Sequence, residues 1–277
     1  MNQKNFEYLR DQVKFTGFGE GLEMDLKEKL QQQRAEFKLY HKASYGTDES
    51  VATLYFKKSS QTDMYFFNKY DFLLKQQNRP AISKQTFYIG RENNFTLKEA
   101  YNLMCGRAVH KELVNKEGQR YLAWVQIDFK QTDKYGNYKL KYFHQNYGYD
   151  LLRELEKHPI RELENEQDKS RLIASLHKGN KQAVAYMENG DAALYFVEAN
   201  PQFKSLKIYR SNSSHLDSRY PGGSWLANPE EALVKEDVPS KVKEPESVQK
   251  DAARKPKAIK RTRKKKGKRS TKKSAIS

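Results

Sequence analysis

The amino-acid sequence predicts an α+β fold built from two or three units, each a helix followed by an antiparallel meander of strands. Apolar residues first recur about every four positions and then every second position, and this change occurs three times along the chain. Similar phrases follow Gly118 and Gly190, so that Leu122 corresponds to Leu194. An α+β meander without internal repetition gives a similar pattern, so the repeat stays open.

The first unit spans residues 1–90 and contains an amphipathic helix. Leu22, Leu26 and Leu30 recur every four residues with polar residues between them, which forms one apolar stripe. Beyond this helix the apolar period falls to two, and the runs are rich in aromatic and β-branched residues. These runs predict four strands, at 37–42, 51–56, 64–67 and 86–89.

The second unit spans residues 91–145. Thr96 and Glu99 have the spacing of a capping box, in which each side chain bonds the other residue's backbone amide, and Gly106 ends the helix. Strands are predicted at 107–113, 120–129 and 138–143. The central strand is expected to be buried, with apolar residues on both faces: Tyr121, Ala123, Val125, Ile127 and Phe129 on one, and Leu122 and Trp124 on the other.

The third unit spans residues 146–232 and carries two helices. The first includes residues 151–155 and is stopped by Pro159, and the second is closed by Gly179. Asn189-Gly190 is a strong signal for a two-residue hairpin turn. The predicted strands are 182–188, 192–199 and 205–209.

A tail rich in Lys and Arg occupies residues 233–277 and is predicted to be disordered, because it has prolines among polar residues and no apolar period. The 277-residue chain has a formal net charge of +17. Residues 252–277 hold thirteen Lys or Arg and no acid. Residues 235–251 hold four bases and five acids, which leaves +5 for residues 1–234. The high charge is therefore a property of the tail.

Five phrases of the sequence are distinctive when taken together. They are FTGFGEGL from Phe15, MYFFNKYD from Met64, TLKEAYNL from Thr96, GRAV from Gly106 and EANPQF from Glu198. Over residues 15–212 the chain resembles an uncharacterised bacterial family, a domain of unknown function in proteins of conjugative and other mobile elements of gut anaerobes. Some related domains occur in topoisomerase-linked proteins. The resemblance implies a DNA-transfer setting and transfers no catalytic residue.

The tail is the strongest candidate for a nucleic-acid contact, with DNA as the expected partner. A dense run of cations releases counterions from nucleic acid and binds phosphates without reading bases. A solubilising tail, an acidic protein surface and an anionic lipid are the alternative interpretations. The basic residues predicted to bind are Lys260, Arg261, Arg263, Lys264, Lys265, Lys266, Lys268, Arg269, Lys272 and Lys273.

A second candidate is the strand at 138–143, in which basic and aromatic residues alternate. Lys139, Lys141 and Phe143 share one face and are a possible platform on which bases stack while lysines hold phosphates. The favoured alternative is that the other three residues of the strand are core and the lysines form the solvent face of a half-buried sheet.

Other candidate chemistry is weaker. Segment 17–21 is rich in glycine but lacks the spacing and the Lys-Ser/Thr ending of a phosphate loop. The six histidines have no metal-site spacing, and His177, in the last turn of a helix, is interpreted as a solvated cation. Cys105 has no identifiable partner base and is interpreted as a buried thiol. No metal or other cofactor is expected.

Enzymatic activity and membrane insertion are not expected. The chain has no Asp-x-Asp pair for a topoisomerase-primase metal centre. No stretch approaches the ~18 apolar residues of a membrane span, and the N-terminus lacks the apolar run of a signal peptide, which favours the cytoplasm. The sequence favours a non-enzymatic accessory of mobile-element DNA handling. The alternative is a protein-interaction module whose repeated sheets bind a partner protein in a conjugation or DNA-processing complex.

Overall fold

Helices and antiparallel sheets follow one another three times along the chain. The structure, a computed structural model, describes residues 2–79 and 81–211. In this part of the chain, three antiparallel sheets each come after one or two helices. The fold is α+β, as predicted, whereas the idea that the units are copies of one another stays a prediction. The tail at 233–277 lies outside the described residues.

The first sheet has four strands and is preceded by two helices. Helices α1 (Gln3–Val13) and α2 (Glu23–Gln31) are joined through a π-helical turn at Lys14–Phe18. The strands pair in sequence order and are β1 (Glu36–Tyr45), β2 (Asp48–Lys58), β3 (Tyr65–Lys75) and β4 (Ser83–Tyr88). Sequence reasoning missed α1, whose buried apolar stripe is Phe6, Leu9 and Val13.

The second sheet follows α3 (Leu97–Met104) and has β6 at its centre. The capping box is confirmed: the Thr96 amide donates to Glu99 Oε2 at 2.8 Å, and the Glu99 amide donates to Thr96 Oγ1 at 3.3 Å. Gly106 then ends the helix with a φ of 81°. The strands are β5 (Val109–Val114), β6 (Arg120–Thr132) and β7 (Tyr138–His144).

The third sheet has β9 at its centre, and its edge strand β8 is hydrogen-bonded by a side chain from outside the sheet. Its elements are α4 (Leu151–Leu155), α5 (Glu166–His177), β8 (Gln182–Glu188), β9 (Asp191–Asn200) and β10 (Ser205–Arg210). Asn189 and Gly190 both have positive φ, as the predicted hairpin turn requires. The Ala185 amide donates to the buried Glu162 carboxylate at 3.0 Å, which satisfies a donor that an edge strand would otherwise expose.

Strand β6 lies between two hydrophobic cores. Ala123, Val125 and Ile127 pack into the first core with α1, α2, α3 and the first sheet. Trp124, on the opposite face, packs into the second core with apolar residues of α4, α5 and the third sheet. Burial of the centre of this strand is therefore confirmed on both faces.

Two residues expected to be buried in this strand are exposed. Phe129 is exposed at the register irregularity between Asp128 and Thr132, where the pairing with β7 is interrupted. Leu122 is exposed because it lies before Ala123, where the pairing of β6 with β7 begins. Both residues thus lie outside the stretch of β6 that pairs with β7 without interruption, from Ala123 to Asp128.

A polar contact joins α3 to the end of α5. Asn102 Nδ2 donates to the Lys178 carbonyl oxygen at 2.6 Å and to Asn180 Oδ1 at 2.9 Å. Gly179 between them has a φ of 81°, and a Cβ there would lie 2.8 Å from the Ala108 carbonyl oxygen. Only glycine meets both conditions, since other residues avoid positive φ and the backbone leaves no room.

The structure overturns the interpretation of His177 as a solvated cation. Its ring centre lies 4.5 Å from that of His110 and 5.4 Å from that of Trp124. Burial lowers the pKa of His177. Burial, followed by the charge of His177, lowers the pKa of His110 to about 4. Both imidazoles are therefore neutral near pH 7, because the helix end is packed against the second sheet.

Replacing Trp124 by Ala is expected to lower the free energy of unfolding by about 3–5 kcal/mol, because it removes a buried indole and leaves a cavity. Leu122→Ala, on the same face of the same strand but exposed, is the matched control and should cost well under half as much. Urea denaturation of both variants measures the difference. Equal losses of unfolding free energy would contradict the finding that Trp124 is buried and Leu122 exposed on this face of β6.

The paired histidines predict a loss of stability in mild acid. Both folded pKa values lie below the ordinary ~6.5 of an unfolded histidine, so the unfolded chain binds protons first. Their contribution is complete above about pH 6.5 and is lost as the pH falls toward about 4. His110→Phe keeps a ring beside Trp124 and should flatten this part of the urea-midpoint profile. Parallel profiles would contradict the assignment.

Candidate nucleic-acid interface

The face of the first sheet that points away from the helices carries a row of alternating lysines and tyrosines. Lys38 pairs with Tyr55 across β1 and β2. Tyr55 pairs with Lys69 across β2 and β3, and Lys69 pairs with Tyr88 across β3 and β4. These four residues, the Lys–Tyr row, thus cross all four strands on the outer face.

Contacts within the Lys–Tyr row are of the cation–π type. The Nζ atoms of Lys38 and Lys69 lie 5.3 and 4.9 Å from the centre of the Tyr55 ring. Tyr88, on the edge strand, is 63% exposed, and its ring is free of neighbours over most of its surface. The row therefore offers two ammonium groups and an accessible aromatic ring to an incoming ligand.

The outer face is positively charged. Three carboxylates oppose six lysines, which gives a net charge of +3: Glu36, Glu49 and Asp71 against Lys38, Lys42, Lys57, Lys69, Lys75 and Lys84. Lys57 is 3.3 Å from Glu36, and Lys75 is 3.5 Å from Glu49, with both members of each pair exposed. Exposed pairs of this kind contribute little, so a phosphate can replace the carboxylate as the lysine's partner.

Asp71 is the exception, because its carboxylate is buried beneath the face. It accepts hydrogen bonds from the Tyr55 hydroxyl at 3.0 Å, from Thr86 Oγ1 at 2.8 Å and from Lys84 Nζ at 2.8 Å. Burial acts to raise the pKa of Asp71, but these bonds outweigh it and lower the pKa. Burial and the contact with Asp71 raise the pKa of Tyr55 to about 12, so this phenol stays neutral.

A groove of about 420 Å³ runs between the outer face and the turn that joins β6 to β7. Its lining is Lys69, Asp71, Lys84, Thr86 and Tyr88 on the sheet, and Tyr135, Gly136 and Asn137 on the turn. The Thr86 amide donates to Asn137 Oδ1 at 3.0 Å, which holds the turn against the edge strand. This lysine groove is therefore built from two sheets.

The platform predicted on β7 is partly engaged by neighbouring residues. Lys141 Nζ lies 3.1 Å from Asp128 Oδ2, and Lys139 Nζ donates to Gln131 Oε1 at 3.3 Å. Phe143 is half-buried and packs against the second core. A role for these three residues in binding bases stays a prediction.

On the opposite face of β7, two residues pack against the core and one is exposed to solvent. Tyr138 and Leu140 pack against the first core, as the alternative interpretation expects. Tyr142 on the same face is 44% exposed rather than buried. The exposed end of the strand is therefore open to a ligand.

The remaining candidates from the sequence are segment 17–21, Cys105 and the basic residues of the tail. Gly17 and Gly19 have positive φ in and after the π-helical turn, which fits a structural role for segment 17–21. Cys105 is half-buried rather than buried, and its Sγ accepts from Gln76 Nε2 at 3.6 Å. The ten basic tail residues from Lys260 to Lys273 lie outside the described residues.

The comparisons with known proteins name no relative. No protein-family model, curated protein or solved structure matches this chain. The resemblance to the mobile-element family therefore stays a prediction. Within residues 2–79 and 81–211, no three His, Cys or acidic side chains come together as a metal site would need. Among these same residues, every helix is too short or too polar to span a membrane.

Asp71→Asn is expected to lower the free energy of unfolding at pH 7 by about 1–3 kcal/mol, because Lys84 loses its counter-charge and three donors lose a carboxylate. The folded pKa of Asp71 is depressed, so its contribution is present above about pH 4 and is lost as the pH falls through the folded value. The gap between the two proteins should therefore close in acid. Glu49→Gln, which disrupts an exposed pair, should change stability by under about 0.5 kcal/mol.

Proposed function

We propose that this protein is a non-enzymatic accessory of mobile-element DNA handling that binds nucleic acid without sequence specificity. The Lys–Tyr row carries the proposal, because it combines ammonium groups with an exposed aromatic ring on one open sheet face. Surfaces that bind nucleic acid regardless of sequence combine these two features. The mobile-element setting rests on the family resemblance, and the cytoplasmic location rests on the absence of a signal-peptide pattern and of a long apolar stretch in the sequence.

The sequence of the tail supports the same function. Residues 252–277 contribute thirteen of the 52 basic side chains and no acid. A polycation of this density binds phosphates through counterion release and carries no base-reading geometry. In the proposed function the tail supplies most of the charge, and the Lys–Tyr row supplies contacts of fixed geometry.

The test measures binding of the full-length protein to single-stranded and duplex DNA by fluorescence anisotropy across a salt series. In one variant Lys38, Lys69 and Lys84 are changed to Gln. In a second, the ten basic residues between Lys260 and Lys273 are changed to Gln. Each lost phosphate contact should reduce the log–log salt slope on duplex DNA by about 0.9, so the first variant loses up to about 3 and the second several more.

The matched control changes three exposed lysines that lie off the outer face of the first sheet, Lys116, Lys157 and Lys178, to Gln. It should bind almost as the unmodified protein does. If the Lys38/Lys69/Lys84 variant behaves as this control, the outer face makes no contact with DNA. If the tail variant keeps the original salt slope, the tail is not the phosphate-binding arm.

The alternative function is a module whose repeated sheets bind a partner protein in a conjugation or DNA-processing complex. Such a module would use apolar side chains exposed on the sheets, such as Phe66 on β3 and Leu122 on β6, which are 45% and 40% exposed. Affinity capture with the tail variant after nuclease treatment distinguishes the two functions, since only a protein partner would be retained.

A further inference from the structure

A smaller cleft of about 200 Å³ opens beside the lysine groove, between β4 and the second sheet. Half of its lining residues are aromatic: Phe87, Tyr88, Phe95, Tyr121 and Tyr142. We refer to it as the tyrosine cleft. Thr86 and Tyr88 line both this cleft and the lysine groove, so the two are neighbours. An aromatic site therefore adjoins a site that contains Lys69 and Lys84.

The side-chain amides of the tyrosine cleft are already occupied. Asn93 Nδ2 donates to the Val114 carbonyl oxygen at 2.9 Å, and Asn93 Oδ1 accepts from the Val114 amide at 2.7 Å. Gln85 makes the same reciprocal pair with the backbone of Tyr138, at 3.2 and 2.8 Å. A ligand therefore meets aromatic rings and phenol hydroxyls rather than amides that could read the edge of a base.

The charges around the cleft suit an anionic ligand. Burial, followed by the proximity of Tyr121, raises the pKa of Tyr142, so this phenol adds no negative charge. Asp71, the carboxylate in the adjoining groove, is already compensated by Lys84 at 2.8 Å. Lys69 Nζ lies 4.9 Å from the centre of the Tyr55 ring and, among the described residues, forms no ion pair. The groove can therefore hold a phosphate while the cleft holds an aromatic group attached to it.

We propose that the tyrosine cleft is a stacking site for one base of a single-stranded nucleic acid whose phosphate lies against Lys69 in the lysine groove. The cleft is smaller than the ~300–1,000 Å³ of sites for drug-sized ligands, which suits a single ring system. A base within a duplex is already stacked and paired, so single strands should be preferred. Because stacking uses the π-face that all bases share, the site should show little sequence preference. This inference rests on the proposed function.

The experiment compares three labelled probes of equal length with the full-length protein: single-stranded oligothymidylate, the same strand with abasic sugars, and a duplex. Abasic strands keep the phosphates and lose the bases. The unmodified protein should bind the base-bearing strand about tenfold more tightly than the abasic strand, in keeping with stacking of a base on aromatic side chains. Tyr88→Ala combined with Tyr142→Ala should abolish this preference, so that the base-bearing strand binds no more tightly than the abasic strand.

Two further variants test whether the loss is due to the rings. Tyr88→Phe combined with Tyr142→Phe keeps both rings and should retain the preference. Tyr8→Ala combined with Phe203→Ala removes two exposed aromatic residues that do not line the cleft and should also retain it. If the unmodified protein binds all strands through its lysines but does not prefer bases over abasic sugars, the cleft proposal is overturned while nucleic-acid binding stands. If it binds no probe at low salt, both proposals fail.

Discussion

The two faces of strand β6 pack into two different hydrophobic cores, and the arrangement of the three sheets depends on this constraint. Its alternation sends Val125 and its neighbours into the first core and Trp124 into the second. This strand is also the central one of its sheet, with β5 and β7 at its sides. The predicted boundaries at 90/91 and 145/146 fall in connections between sheets, yet apolar packing crosses both of them.

The binding surface depends on a second kind of contact, between side chains and backbone rather than between strands. Gln85 and Asn137 bond the backbone of Tyr138 and Thr86, so β7 is held near the edge of β4 without continuing its hydrogen-bond ladder. A continuous ladder would have closed this edge. These hydrogen bonds lie at the start of β7, and the space beside them forms the lysine groove and the tyrosine cleft.

Local signals in the sequence predict most elements, because caps, turns and alternation act over a few residues. The Thr96 capping box and the Asn189-Gly190 turn are examples. Helix α1 was not predicted, because most of its residues are polar. It is supported by long-range contacts, for example the hydrogen bond that Asn5 Nδ2 donates to the Tyr65 carbonyl oxygen at 3.0 Å. The Lys–Tyr row was not predicted, because its four members lie on four different strands. A register shift at Tyr55/Phe56 moves the pairing with β3, and no local pattern specifies it.

In the proposed function, the charge of the tail and the aromatic rings of the tyrosine cleft contribute to binding in different ways. On this proposal, the +13 of residues 252–277 would act over roughly the Debye length, about 8–10 Å at physiological salt, and would draw nucleic acid toward the protein. Stacking on Tyr88 and Tyr142 acts only at contact and releases no counterions, so salt weakens the first contribution far more than the second. A tail that binds only phosphates favours duplex DNA, which has the higher charge density, over a single strand. In the proposed function, a preference for single strands therefore comes from Tyr88 and Tyr142, which lie beside the lysines of the groove.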